Sequence, residues 1–323
     1  MIIFILKRLL SAAIIVLGVL SLTFLMMHLA PGDPSLLYIR PEIPPDTVEL
    51  LRTQMGLNQP FIVQYRMWIR EFILGNFGIS FIHLRPVREV LWEAGLNTLQ
   101  LTLVVFIVQL VFGTGLGVLT ALKKDSKIDH IVNPVLLFLH SVPGFWLGLM
   151  LILIFSYKLG WLPSGQMNSI DVGSEWWMRL ADRARHLALP VIVLSLPLIT
   201  QTTRFVRTGM IEVLNSDYIR TARAYGLPAP KIIFHYALKN ALMPVITLLG
   251  LYFPFLLGGA VVIESIFAWP GMGRLTVEAI YAYDFPLILG SCFVAATAVV
   301  IGNLVSDILY HVVDPRIRLQ HRE

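Results

Sequence analysis

Charge is what this sequence most lacks: only 14% of its 323 residues are Asp, Glu, Lys or Arg, against about 25% in an ordinary soluble domain. A water-facing surface is hard to assemble from so little. Cysteine is almost missing too, since Cys292 stands alone inside an apolar block, which excludes an intrachain disulfide, a CxxC pair and a thiolate metal cluster. No GxxxxGK[ST] run occurs, so the chain has no phosphate-cradling loop of its own, and no HExxH run offers a zinc site. Gly113-Thr114-Gly115-Leu116-Gly117 misses the GxGxxG spacing and lies within an apolar run, where a Gly-xxx-Gly pair serves close helix packing. The net charge of +5 is carried by short Lys and Arg clusters at the ends of apolar blocks, without interleaved stacking aromatics, so nucleic acid is not an expected partner.

What the chain has instead is 56% hydrophobic residues arranged in long blocks, which is the pattern of membrane spans. Leu9 to Ala30 holds no Asp, Glu, Lys or Arg and follows Lys7-Arg8. Its twelve Leu, Ile, Val and Phe residues contribute about −4 to −7 kcal/mol on the insertion scale, enough to span. The run is too long for a cleaved signal peptide, and His28-Leu29-Ala30 is not an A-x-A site. Five further spans are expected at 97–122, 131–157, 187–204, 241–263 and 285–309, each near the ~20 residues a bilayer needs.

Six spans place both termini on one side. Fourteen Lys and Arg residues, from Lys7 to Arg322, fall on that side, against five in the short opposite loops. By the positive-inside rule the termini are cytoplasmic. Trp161, Trp176, Trp177 and Trp269 fall at the outer ends of spans, as an aromatic belt would place them.

The loop 31–96 reads as a small ordered external subdomain. Asp46 with Glu49 forms a capping box after Pro44-Pro45, and Gly56 stops that helix. Pro60 opens a second helix with Phe61, Tyr65, Trp68 and Phe72 on one face. This face either packs on the outer membrane surface or docks a partner. Pro134, Pro143, Pro190, Pro197, Pro244 and Pro254 sit in or near the start of spans, breaks that are tolerated where neighbouring helices or a water-filled path satisfy the freed backbone groups. His28 and His140 read as hydrogen-bonded interior histidines rather than ligands, and Asn303 with Asp307 as a structural pair on one face of the last span.

Between the fourth and fifth spans lies SDYIRTARAYGLP, residues 216–228. Ser216 or Asn215 can cap a short helix, Gly226 ends it and Pro228 forbids its continuation. Tyr218, Ala222 and Tyr225 fall on one face, Arg220 and Arg223 on another, and a second helix is expected from Pro230 up to the fifth span.

The run NSDYIRTARAYGL followed by ALKNALMPVIT resembles the cytoplasmic coupling loop of ABC importer permeases of the dipeptide, oligopeptide and nickel group. APGDP at 30–34, MGLNQPFIVQY at 55–65, GNFGIS at 75–80, SVPGFWLGLMLI at 141–152, LGWLPSG at 159–165, IESIFAWPGMGRL at 263–275 and NLVSDILYHVVDPRIRL at 303–319 extend the resemblance along nearly the whole chain. Two departures mark the peptide branch. Arg220-Thr221-Ala222 stands where the wider superfamily has Glu-Ala-Ala, and Tyr236-Ala237-Leu238-Lys239 replaces Ile-x-Leu-Pro.

The resemblance implies an all-α polytopic membrane protein with six transmembrane helices, a small helical extracytoplasmic subdomain after the first and a cytoplasmic coupling helix between the fourth and fifth. The divisions expected are 1–30, the first span; 31–96, the external subdomain; 97–311, a five-helix permease core with coupling loop 205–240; and 312–323, a cytoplasmic tail. The implied function is a permease subunit of an ATP-driven importer, most simply for di- or oligopeptides, in a bacterial or archaeal plasma membrane. Nickel chelates, glutathione or another small solute are the alternatives within the class. A polytopic membrane enzyme or a scaffold without transport are the alternatives outside it.

The implied partners are a second homologous permease subunit, two ATP-binding subunits that hold ATP and Mg, an extracytoplasmic solute-binding protein and membrane lipid. This chain itself is expected to bind no cofactor or metal and to catalyse nothing. Asp217, Tyr218, Arg220, Thr221, Ala222, Arg223, Gly226 and Leu227 are the expected ATPase-coupling residues. Trp68, Phe72, Phe267, Trp269, Pro270, Gly271 and Gly273 are the expected residues of binding-protein docking or an outer gate.

Overall fold

A computed structural model describes residues 2–29, 58–173, 175–243, 245 and 260–313. The first helix, α1 (Ile2–Leu29), is 28 residues long, about 42 Å at 1.5 Å per residue. After it come α2 (Phe61–Ile73), α3 (Val87–Leu122), α4 (Lys127–Ser141) and α5 (Gly144–Lys158, π-wound from Ile152). The chain continues through α6 (Trp176–Leu214), α7 (Asp217–Ala224) and α8, which is π-wound over Lys231–Ala237 and α-helical over Leu238–Ala241. The last described elements are α9 (Val261–Ile266), α10 (Met272–Tyr281) and α11 (Phe285–Val313). Among the described residues there is no strand, only an isolated antiparallel bridge between Ile79 and Pro86.

Among the described residues three helices are long and apolar enough to cross a membrane: α3, α6 and Phe285–Val305 of α11. The pair α4 and α5 makes a fourth candidate, bent by 99°. The continuous span expected over 131–157 is therefore two helices meeting at a corner. The reason is local: Val142 precedes a proline and takes φ −74° and ψ 127°, because the Pro143 ring disfavours the helical region for its predecessor. Most of the fifth expected span, the capping box at Asp46 and Glu49, Gly56, and the tail from 314 lie outside the described residues.

Helix α6 begins at Trp176, eleven residues before the expected span, and runs 39 residues through Pro190 and Pro197. Both prolines are absorbed without a break. Helix α3 likewise starts at Val87, its entry set by the extended Pro86 (φ −53°, ψ 128°). The two helices pack along Gly113 and Gly117, as the small-residue pair requires. A Cβ at Gly113 would lie 2.7 Å from Thr202 Cβ, and one at Gly117 would lie 2.6 Å from Val206 Cβ. That proximity lets Thr203 Oγ1 donate to the Gly113 carbonyl at 3.2 Å.

Helix α2 carries the expected aromatic face, and that face packs on the chain's own α1 and α11. Trp68 stacks on Phe24 with centroids 5.0 Å apart, Tyr65 and Ser21 share a 2.6 Å hydroxyl bond, and Phe72 meets Phe293 edge-on at 5.1 Å. His28 is bonded to the Phe24 carbonyl and to Gln64 Oε1, as a hydrogen-bonded histidine should be, but it lies exposed rather than in the interior.

Candidate functional site: the α7 knob and its frame

Helix α7 follows α6 after only Asn215 and Ser216, so the longest described helix leads directly into it. Ser216 holds the extended N-cap backbone (φ −73°, ψ 154°), but its hydroxyl donates back to the Val213 carbonyl at 2.6 Å and caps nothing in α7. The expected side-chain cap is thus replaced by a tie to α6. At the other end Gly226 takes φ +72°. The Gly226 N–H donates to the Arg223 carbonyl at 2.9 Å and the Leu227 N–H to the Ala222 carbonyl at 3.2 Å, which is the full Schellman pattern.

Ile219 and Ala222 are buried against Ile232, with Leu214, Leu227 and Tyr236 around them. Ala222, expected on one face with Tyr218 and Tyr225, is buried while both tyrosines are exposed, because Ile219 three residues earlier is the large apolar side chain that the helix must bury. Asp217, Tyr218, Arg220, Thr221, Arg223 and Tyr225 face solvent. Tyr225 is 84% exposed, and Phe234 on α8 is 62% exposed. Asn240 of α8 donates to the Tyr218 hydroxyl at 3.0 Å, fixing that ring. A groove of about 290 Å³ runs beside the helix end, bordered by Leu122, Leu214, Arg223, Leu227 and Ile232. Exposed Tyr and Arg beside an apolar groove are the side chains on which binding energy concentrates in protein interfaces.

The expected docking or outer-gate residues behave differently. Phe72, Phe267, Trp269, Gly271 and Gly273 are buried, and only Trp68 and Pro270 reach solvent. Burial removes the first five from any surface a docking protein could touch in this conformation. The glycines are explained from within: a Cβ on Gly271 would lie 2.5 Å from Glu264 Oε1, and one on Gly273 would lie 2.9 Å from Glu264 Oε2. Fully buried Glu264 accepts from Thr98 Oγ1 at 2.8 Å and from the Arg274 N–H at 3.0 Å, while the Met272 N–H donates to Thr98 Oγ1 at 2.8 Å. Two of the free donors at the start of α10 are satisfied in this way. Trp269 Nε1 donates to the Asn97 carbonyl at 2.9 Å, and Asn97 Nδ2 to the Pro270 carbonyl at 2.9 Å.

Asp284 forms a second buried node, accepting from Ser80 Oγ at 2.6 Å, the Ile82 N–H at 3.1 Å and the Leu287 N–H at 3.2 Å. Neither acid shows its part in the sequence, because the side-chain partners, Thr98 and Ser80, come from segments far away in the chain.

At the start of α6 a cavity of about 720 Å³ is lined by Ser156, Ser164, Gln166, Asn168, Ser169 and His186, with Ile152 and Ile266. Its wall is fixed by the Gln166 N–H donating to the Phe267 carbonyl at 2.7 Å, with Gln166 at φ +66° and Ala268 at φ +48°. Among the described residues no group of three or more His, Cys, Asp and Glu could hold a metal ion.

Comparison with known proteins identifies the family. The family model of the binding-protein-dependent transport system inner membrane component matches residues 113–319, and the N-terminal model of such membrane components matches residues 1–102. The oligopeptide transport system permease protein AppB of Bacillus subtilis is 41% identical over 315 residues, covering 97% of this chain and 98% of its own. The glutathione transport system permease protein GsiC is 38% identical in Salmonella typhimurium and 36% in Escherichia coli, in both cases over 98% of each chain. An inward-facing structure of the MetNI methionine ABC transporter superposes with a TM-score of 0.53 at 17% identity, over 70% of this chain and 97% of that one, a likeness of fold alone. Matched over nearly its whole length, the chain belongs to the inner-membrane components of binding-protein-dependent transport systems, as a permease subunit of an ABC importer of the peptide and oligopeptide family.

Proposed function

We propose that this subunit forms half of a translocation pathway for di- or oligopeptides and is driven by ATP-binding subunits that grip α7. The observation that carries the reading is the build of α7. It is a two-turn helix anchored by Ile219, closed by Gly226 and joined to α6 through only Asn215 and Ser216, and its outward side chains include Tyr218, Arg220, Arg223 and Tyr225. Such a knob can be pushed as a rigid body, and a push on it moves α6. ATP then acts by favouring one state of the permease through contacts made only in that state.

The positive-inside count supports a cytoplasmic position for α7 and both termini. The second permease subunit, two ATP-binding subunits and an external solute-binding protein complete the assembly. A peptide cargo is supported by the oligopeptide and glutathione relatives, since glutathione is itself a short peptide.

The decisive experiment uses the assembled importer in proteoliposomes, supplied with its external binding protein and a labelled tripeptide. Arg223→Glu and Gly226→Pro are expected to leave the protein in the membrane while ATP hydrolysis continues without uptake. Uptake at the wild-type level in both variants refutes the docking role of α7. Turnover by this chain alone would favour the membrane-enzyme alternative instead.

A further inference from the structure

Arg207 and Asp129 meet in a bidentate fork, Nε to Oδ1 at 2.8 Å and Nη2 to Oδ2 at 2.7 Å. The Asp129 side chain is only 6% exposed, and Asn133 Nδ2 and the Asp125 N–H also donate to it. The other ion pairs among the described residues join positions no more than eight apart. This one joins residues 78 positions apart. Removing two charges from water is costly, so such a pair is a poor device for net stability. A planar guanidinium held at both nitrogens by one carboxylate does, however, fix distance and angle together.

Its location gives the fork a use. Arg207 lies seven residues before α6 ends and passes into α7, while Asp129 is in the first turn of α4, just past the Lys123–Ser126 corner that ends α3. Helix α6 already grips α3 through Gly113 and Gly117. We propose that the Arg207–Asp129 fork is a transmission clamp, which makes α4 follow α6 when α7 is displaced and so carries the stroke into the bent α4–α5 pair. Arg207 and Asp129 are positioning residues, which act through the two helices they join. The inference rests on the reading that α7 receives the ATP-binding subunits.

The test compares Asp129→Asn, Arg207→Lys and Arg223→Glu in the complete importer, with a labelled tripeptide as probe. Tripeptide taken up per ATP hydrolysed and the amount of co-purifying ATP-binding subunit are both measured. Asp129→Asn is expected to retain the full complement of ATP-binding subunit and to hydrolyse ATP at no less than the wild-type rate. Uptake per ATP should fall by at least about fivefold, the lower end of usual coupling between sites. Arg207→Lys keeps the charge but not the fork and is expected to behave in the same way.

Full coupling in Arg207→Lys or in Asp129→Asn overturns the clamp, and so does a loss of uptake that merely tracks loss of ATP-binding subunit. If Arg223→Glu uncouples while Asp129→Asn does not, the clamp fails and the α7 reading stands. If Arg223→Glu is fully coupled, the α7 reading fails and the clamp loses its source of motion.

Discussion

Thr98 donates to Glu264 at 2.8 Å across 166 positions of chain, and the same hydroxyl accepts the Met272 N–H at 2.8 Å. One buried side chain of α3 thus holds both α9 and the start of α10. Thr98→Val keeps the shape and removes both bonds. Leaving a buried donor and acceptor unmet costs about 1–3 kcal/mol each, so the midpoint of thermal unfolding of the purified protein should drop by several degrees. An unchanged midpoint would show that the node is dispensable.

The α3–α6 contact admits a double-mutant cycle. Gly117→Ala forces a Cβ to within 2.6 Å of Val206 Cβ, an overpacking expected to cost about 1–3 kcal/mol. Adding Val206→Ala removes the Cγ1 that would lie 2.8 Å away, while keeping the Cβ, so it should recover part of that loss, and the two changes should be non-additive by at least about 0.5 kcal/mol. Additive effects would mean that the helices do not touch at this level.

Gly226→Ala tests the end of α7 more gently than proline does. An alanine at φ +72° costs about 1–2 kcal/mol in the left-handed region, so the helix end should fray while the membrane core is untouched. Reduced uptake per ATP hydrolysed with an unchanged unfolding midpoint is the expected pair of readings, and Gly226→Asn should be milder because Asn tolerates that region.

Much of this was legible in the sequence, and where it was not the reason is physical. Apolar block length announced α3, α6 and α11, and Gly226 with Pro228 announced the close of α7. Hydropathy has no direction, so the corner at Val142-Pro143 was hidden inside one apolar run although both residues were in view. Ile219 was passed over because SDYIRTARAYG reads as charged and small, yet that isoleucine decides which face turns inward. Glu264 and Asp284 remained silent since a buried acid declares its part only through distant partners, here Thr98 and Ser80.

Sidedness is directly measurable. In a Cys292→Ser background, Tyr225→Cys should react with an impermeant maleimide only from the cytoplasmic side, and Ile170→Cys, at a residue 95% exposed, only from the opposite side. Labelling of both from the same side would break the expected six-span topology, and exchange of the two sides would invert it.

Phe72 offers a contrast between scaffolding and docking. Its ring lies against Phe293 and Phe77, so Phe72→Ala should cost about 3–5 kcal/mol of stability. Among molecules that stay folded, affinity for the external binding protein should be unchanged. A selective loss of that affinity would return Phe72 to the outer surface.

The 99° turn between α4 and α5 has a consequence for where lipid can be. The last carbonyls of α4 and the first amides of α5 lose their helical partners at Val142-Pro143, and acyl chains can satisfy none of them. At acyl depth, whatever abuts that elbow in the working transporter must therefore be protein or water, in every state in which the elbow persists.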